Sequence, residues 1–280
     1  MGIKILSCGA GMQSTALALM SCENAMSNKP IHPLVPIYDA VIYCDLGYEP
    51  PWVYDQVDFI RKACEQCGIR FKILYTGLYD HYLKNFGESR TCSVPFWSIG
   101  PDGKEAKMRR NCTIDFKINA IHKFSRYELL SYKKYQRIRP EDIGAHEMHI
   151  GFSAEERQRV FNSYNPMFIN RFPLVEMGLE RADNYKYILE VWGLDTKASA
   201  CCICPFHRNY FFEYLKKNHG DSYDAVLTMD QLLEDKQPQT KIKSQLFISR
   251  SRKRIERLTP SDCNDAECFR YKGKNVWNGF

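Results

Sequence analysis

Residues 3–20 read Ile3-Lys4-Ile5-Leu6-Ser7-Cys8-Gly9-Ala10-Gly11-Met12-Gln13-Ser14-Thr15-Ala16-Leu17-Ala18-Leu19-Met20. Ile3 to Ser7 has the composition of a short buried strand, Gly9 to Gly11 that of a tight turn, and Ser14 to Met20 the Ala and Leu content of an opening helix. A strand, a glycine turn and a helix in that order suit a bound anion. Glycine lets the backbone approach closely, and the first helical N–H groups and the positive end of the dipole point at the ligand. Ser14 and Thr15 add hydroxyl donors. No Gly-Lys-Ser/Thr follows, so this is not a Walker A loop. The spacing of the dinucleotide fingerprint is broken at Ser14.

Outward from this stretch, Asp39 to Asp45 reads as a second buried strand, Val53 to Cys67 as a helix stopped by Gly68, and Arg70 to Tyr75 as a third strand. Asp80 to Lys107 reads as irregular. Ile114 to Tyr127 and Asp183 to Trp192 have helical patterns, and His146 to Ser153 is strand-like. Strands alternating with helices, with little alternation inside the strands, predict a doubly wound α/β fold on a mainly parallel sheet. The chain turns polar and basic after Lys236. The expected organisation is an α/β domain over 1–235 and a C-terminal extension over 236–280.

With 280 residues the chain can bury a full core, and a formal charge of +6 admits an anionic partner or simply a basic surface. No secretory leader, lipidation pattern or membrane-length apolar run is seen, so a cytoplasmic protein without a membrane partner is expected. The 12 cysteines then point to metal binding or thiol chemistry in addition to core packing, and not to a disulfide framework. Cys201-x-x-Cys204 before Pro205 is the strongest such signal, since two thiolates at that spacing reach one metal; redox dithiols use the same spacing. Arg109 and Arg110 precede Cys112 and are expected to favour its thiolate. Cys22, Cys44, Cys64 and Cys67 fall in helix or strand patterns and read as structural, and Cys8 as packing under the loop.

The first turn resembles the PP-loop of the adenine nucleotide α-hydrolase superfamily, usual form Ser-Gly-Gly-x-Asp-Ser-Thr, with Gln13 where Asp is usual and Ala10 for one Gly. The phosphoadenosine phosphosulfate (PAPS) reductase-like branch is the more similar, including DNA phosphorothioation ATP pyrophosphatases. Asp45-Leu46-Gly47-Tyr48-Glu49 is similar to its Asp-Thr-Gly-x-Glu motif, and Arg109-Arg110-Asn111-Cys112-Thr113 with Lys117 to its Cys/Lys motif. Gly151-Phe152-Ser153 with Glu155, Glu156 and Arg157, Phe172-Pro173-Leu174, and Ser199 to His207 resemble later motifs of the branch, in order over about residues 3–215.

This resemblance implies ATP split between the α and β phosphates, or a PAPS-like nucleotide in the same pocket. Ser7, Gly9, Gly11, Gln13, Ser14 and Thr15 would hold the nucleotide. Asp45 would serve ribose or Mg²⁺; a loop-capping carboxylate is the alternative. Arg109, Arg110 and Lys117 would stabilise anionic groups. Cys112, Cys201 and Cys204 look like ligands of a [4Fe-4S] cluster, with Zn²⁺ or metal-free thiols as alternatives and Cys202, His207 or Cys92 as a fourth ligand. The implied reaction is ATP-dependent sulfur transfer to a nucleic acid, DNA or tRNA, or a nucleotide, with a cysteine desulfurase as sulfur donor. Two other readings stay open. One is a sulfonucleotide reductase using a thiol at Cys268 or Cys263, where Glu267-Cys268 echoes that group's Glu-Cys-Gly-x-His. The other is a non-catalytic nucleotide- or nucleic-acid-binding protein with a structural zinc site. Lys107 joins the cations around Cys112. Arg250, Arg252, Lys253, Arg254 and Arg257 form a second basic cluster, read as a phosphate contact or a solvated helix face. Phe96 and Trp97 read as a pocket wall.

Overall fold

The computed structural model describes residues 2–27, 29–87, 93–266, 268–271 and 274–277, with side chains as far as residue 266. In chain order the elements are β1 (Lys4–Cys8), α1 (Met12–Met26), β2 (Ala40–Asp45), α2 (Pro51–Gln66), β3 (Arg70–Tyr75), α3 (Leu78–Asn85), β4 (Trp97–Ile99) and β5 (Glu105–Lys107). They continue with α4 (Asn119–Phe124), β6 (His146–Ile150), β7 (Phe168–Arg171), α5 (Pro173–Glu176), α6 (Arg181–Trp192), α7 (Asn209–Asn218), α8 (Gly220–Lys236), β8 (Gln245–Phe247), β9 (Cys268–Tyr271) and β10 (Lys274–Trp277). They fall into two compact units. One comprises Met1–Cys44, Trp52–Leu74 and Ala120–Lys197, the other Asp45–Pro51, Tyr75–Asn119 and Ala198–Phe280.

The first unit is built on a five-stranded sheet of order β3-β2-β1-β6-β7, parallel at the pairings β1–β2, β1–β6 and β6–β7. This is the α/β fold expected from the alternation of strands and helices. The chain runs from β1 through α1 to β2 on one side and later returns to β6 on the other side of β1. The order therefore switches direction between β1 and β6, the position at which open parallel sheets carry a ligand crevice beyond the strands' C-terminal ends. Ile5, Ile42, Cys44 and Met148 point to one face, where they pack with Ile121 and Phe124 of α4 and with Phe168. Each such aliphatic or aromatic side chain contributes about 1.5–3 kcal/mol by leaving water. Residues 14–22 of α1 are buried all round, which explains its small Ala and Leu side chains. α2 instead buries one stripe: Trp52, Val53, Gln56, Val57, Ile60, Ala63 and Cys64. Cys22 and Cys64 meet there, Sγ to Sγ at 3.9 Å.

The second unit holds a three-stranded antiparallel sheet of order β5-β4-β8 beside α3, α7 and α8. Here the sequence reading needs correction. The stretch expected to be irregular contains α3, entered through Gly77 at φ +58° and anchored by buried Leu78, Tyr79 and Tyr82. It also contains β4 and β5, each too short to leave a period in the sequence. Residues after 236 are not a mere appendage, because β8 pairs with β4 and Leu246 and Ile248 are fully buried. The helical stretch from Ile114 is α-helical only over α4, with π-helical turns at Ile114–Ile118 and Ser125–Leu129. No helix among the described residues is long and apolar enough to cross a membrane.

Candidate nucleotide loop and cysteine centre

Gly11 is the N-cap of α1, with φ −88° and ψ 173°, and no side chain caps the helix. The first helical bond is Thr15 N–H to Gly11 O at 2.9 Å. Among the described residues, no protein acceptor takes the amides of Gly11, Met12 or Gln13, so they stand open at the positive end of a 15-residue helix. The turn is held by Ala10, a non-glycine residue at φ +55°. That conformation costs about 1 kcal/mol and persists because the surroundings enforce it. Gln56 donates to the Ala10 carbonyl at 2.6 Å, and its own oxygen accepts from Lys197 N–H at 2.6 Å.

Of the two hydroxyls expected to bind phosphate, that of Ser14 is engaged within the turn and that of Thr15 is buried without a hydrogen-bond partner among the described residues. Ser14 accepts from Gly9 N–H at 3.1 Å and donates to Gly11 O at 3.3 Å. Thr15 is fully buried. The donors left for an anion are therefore backbone amides. Cys8 is buried beneath the turn, its Sγ 3.9 Å from Ser14 Oγ. Ser7 lies in β1 between Ile42 and Ile150. The loop after β6 packs on the same turn. A Cβ on Gly151 would stand 2.7 Å from Ser14 N, so only glycine admits this approach. Gln13 Nε2 donates to Glu156 Oε2 at 3.1 Å, and Glu156 also bonds Arg159. Sequence reading noted Gln13 as a missing carboxylate; the fold supplies one beside it.

The second unit gathers the other candidates. Asp45 Oδ1 accepts from Gly47 N–H at 2.8 Å, a turn-capping bond made with Gly47 at φ +97°. Glu49 is buried, and burial raises its carboxyl to about 7; Lys117 opposes this and the Asp45 charge adds to it. Sequence reading gave Glu49 no role, and its burial is the signal that was missing.

The thiols of Cys201 and Cys204 interact, and the interaction moves them in opposite directions. That interaction, with the amide of Phe206 and the charges of Arg110 and Lys117, draws Cys204 down to about 7 against burial. Cys201 is correspondingly raised, by the same interaction and by burial, so the pair shares one proton with the negative charge on Cys204. Cys112 interacts electrostatically with both. Its thiol is raised, because burial outweighs Arg110 and Lys117. This corrects the expectation that the neighbouring arginines make Cys112 the thiolate; Cys204 takes that place.

The candidates for a fourth ligand are occupied. Cys202 is fully buried, and its thiol is raised by burial and by Glu49 against a lowering influence of Ser222. His207 stacks on Phe211 at 3.5 Å and meets the Cys201 carbonyl through Nε2 at 3.1 Å. Cys92 lies outside the described residues. Arg109 is exposed.

Three thiols, two of them sharing a proton beside two cations, are a donor set that fits a thiolate-bound metal or cluster. As they stand, no three His, Cys, Asp or Glu groups among the described residues are spaced to hold an ion, so the trio would have to close on one. The ten cysteines whose side chains are described are free thiols. Cys263 is buried, and burial with Glu213 and Asp265 raises its thiol, which makes it a poor nucleophile. Cys268 belongs to β9, with its side chain outside the description, and Glu267 is not described.

The second basic cluster is not a helix face. Arg252 pairs with Glu105 at 2.9 Å, Lys253 with Asp262 at 2.8 Å and Arg254 with Asp230 at 3.2 Å. Three of its five cations are thus paired with carboxylates.

No family model matches the chain. No curated protein matches it. Solved structures similar to it include the U34-tRNA thiolase NcsA from Methanococcus maripaludis with its [4Fe-4S] cluster, 19% identical over 84% of this chain and 73% of that one, at a TM-score of 0.38.

Proposed function

We propose that the chain is an ATP-dependent enzyme of the PP-loop kind, an ATP pyrophosphatase that adenylates a nucleic acid or nucleotide acceptor and transfers sulfur to it. One observation carries this reading: the open amides of Gly11, Met12 and Gln13 at the C-terminal end of β1, where the sheet order switches direction. An acceptor oxygen would attack the α-phosphorus, the bond to the β-phosphate would break, and pyrophosphate would leave from the amides. A sulfur nucleophile from a cysteine desulfurase would then displace AMP.

Gln13 and Glu156 would hold Mg²⁺ at the phosphates through the Glu156 carboxylate, and Asp45 would take ribose or Mg²⁺. Arg109, Arg110 and Lys117 would offset charge on anionic groups. Cys112, Cys201 and Cys204 would hold a [4Fe-4S] cluster, which when bound supplies an iron able to carry sulfide. The raised, buried Cys263 tells against that thiol as the nucleophile of a sulfonucleotide reductase.

ATP–pyrophosphate exchange over candidate tRNA, DNA and nucleotide acceptors tests the proposal, with iron, sulfide and zinc assayed on anaerobically purified protein. Exchange with bound iron is expected. Zinc without iron and no exchange with any acceptor would leave the non-catalytic binding protein.

A further inference from the structure

Two rings in the second unit are roofed by cations. Trp97 of β4 and Lys107 of β5 are directly paired across the antiparallel strands. That pairing sets the Lys107 ammonium 5.1 Å from the Trp97 ring centre, and it also lies 4.4 Å from the ring centre of Phe206. The Arg110 guanidinium is 5.2 Å from Phe206, and that of Arg252 is 5.2 Å from Trp97. The ladder is fixed to the cysteine loop, because Trp97 Nε1 donates to Pro205 O at 2.8 Å and Phe206 lies two residues after Cys204.

What distinguishes these cations is how they are held. Lys253 and Arg254 are pinned and neutralised by carboxylates. Lys107 and Arg110 make no ion pair with a carboxylate among the described residues and are positioned by aromatic faces instead. A cation on a ring keeps its full charge while losing side-chain freedom in advance, so it meets an anion at reduced entropic cost. Only Arg252 is offset, by Glu105. Charges alternating with flat apolar groups match a phosphate backbone carrying exposed base faces. A duplex hides those faces.

We propose that the ladder of Lys107, Trp97, Phe206, Arg110 and Arg252 docks an unpaired stretch of polynucleotide beside Cys204. The proposal deepens the proposed function by naming where its nucleic acid acceptor lies, and rests on that reading for the acceptor's class. Phosphates meet Lys107 and Arg110, and bases stack on guanidinium planes and ring surfaces. Nothing in the ladder reads the 2′-hydroxyl, so RNA and DNA strands serve alike.

Fluorescence anisotropy of the full chain with labelled oligo-U and oligo-dT of about 12 nucleotides, without ATP, tests it. Both strands are expected to bind within about threefold of each other, and a duplex of equal length at least about tenfold more weakly. Phe206→Leu keeps the apolar volume but loses the ring and is expected to weaken binding about tenfold. Lys107→Gln is expected to weaken binding of every sequence and lower the salt slope by about one between about 50 and 200 mM salt. Lys253→Gln, whose parent lysine is paired with Asp262, should bind within about twofold of the unaltered protein. If Phe206→Leu unfolds, Lys107→Gln alone decides. Lys107→Gln binding like the parent, a duplex bound as tightly, or only one sugar bound would each overturn the surface. Exchange measured on the same unaltered protein keeps the two claims apart. Exchange without strand binding sinks only the ladder, and strand binding without exchange sinks only adenylation.

Discussion

Gly151 lies against Ser14, so close that a Cβ on residue 151 would stand 2.7 Å from the Ser14 nitrogen and 3.0 Å from its Cα. The loop after β6 thereby touches the first turn of α1. Both obstructing atoms are backbone, which cannot swing away. Gly151→Ala is expected to destabilise the protein by about 1–3 kcal/mol through overpacking and to disturb the turn. Urea melts and isothermal titration with a non-hydrolysable ATP analogue check this. Unchanged nucleotide affinity would remove the turn from the site.

Gln13 donates to Glu156 beside the same turn. If Glu156 serves as the carboxylate for Mg²⁺, Glu156→Gln should lower Mg²⁺ affinity in the exchange reaction about 10- to 100-fold. Gln13→Ala should cost less, since the carboxylate remains. Gln13→Asp sets like charges together and should not improve on the native residue. Exchange rates over a Mg²⁺ titration give the order; Gln13→Ala as damaging as Glu156→Gln would contradict it.

Glu49 binds its proton more tightly when folded, about 7 against an ordinary 4.5. The sign follows from linkage. This group's contribution is most favourable below about 4.5 and is lost as pH rises to about 7, a change on the order of 3 kcal/mol at about 1.4 kcal/mol per pH unit. Glu49→Gln removes that loss. Compared with the metal-free parent, the variant should gain stability between about pH 4.5 and 7 and level off above that. Parallel urea melts across that range measure it, and a constant difference would show that Glu49 is not buried as described.

Cys204 owes its low pKa first to the interaction with Cys201. In metal-free protein its alkylation by iodoacetamide, mapped by mass spectrometry, should rise with a midpoint near 7. Cys201→Ala should move that midpoint upward. Cys112 should react only at higher pH, and Cys202, fully buried, hardly at all. Equal midpoints for Cys112 and Cys204 would refute the proton-sharing pair. On reconstitution, Ser at 112, 201 or 204 should lower iron content while Cys202→Ser should not.

Much of the framework could be read locally. β1, the glycine turn, α1 and β3 announce themselves through runs of apolar residues, glycine and helix-forming side chains, because those signals act between neighbours in the chain. The Cys201–Cys204 pair is legible for the same reason, its spacing being fixed by one turn. α3 was missed because its aromatic, Asp and His residues carry little helix propensity and its anchors are tertiary. β4 and β5 were too short to show a pattern.

What only the tertiary structure decided concerns partners far apart in sequence and the exclusion of water. Gln13 meets Glu156 from 143 residues away, and no local pattern encodes that. Arg109 and Arg110 next to Cys112 suggested a thiolate there, yet charge proximity counts only after burial is known, and burial reversed the sign. The cations after residue 249 read equally as a phosphate contact or a solvated face until folding set carboxylates from residues 105, 262 and 230 against Arg252, Lys253 and Arg254. Residue type and spacing fixed which groups were available; desolvation and long-range contact fixed which of them carry charge.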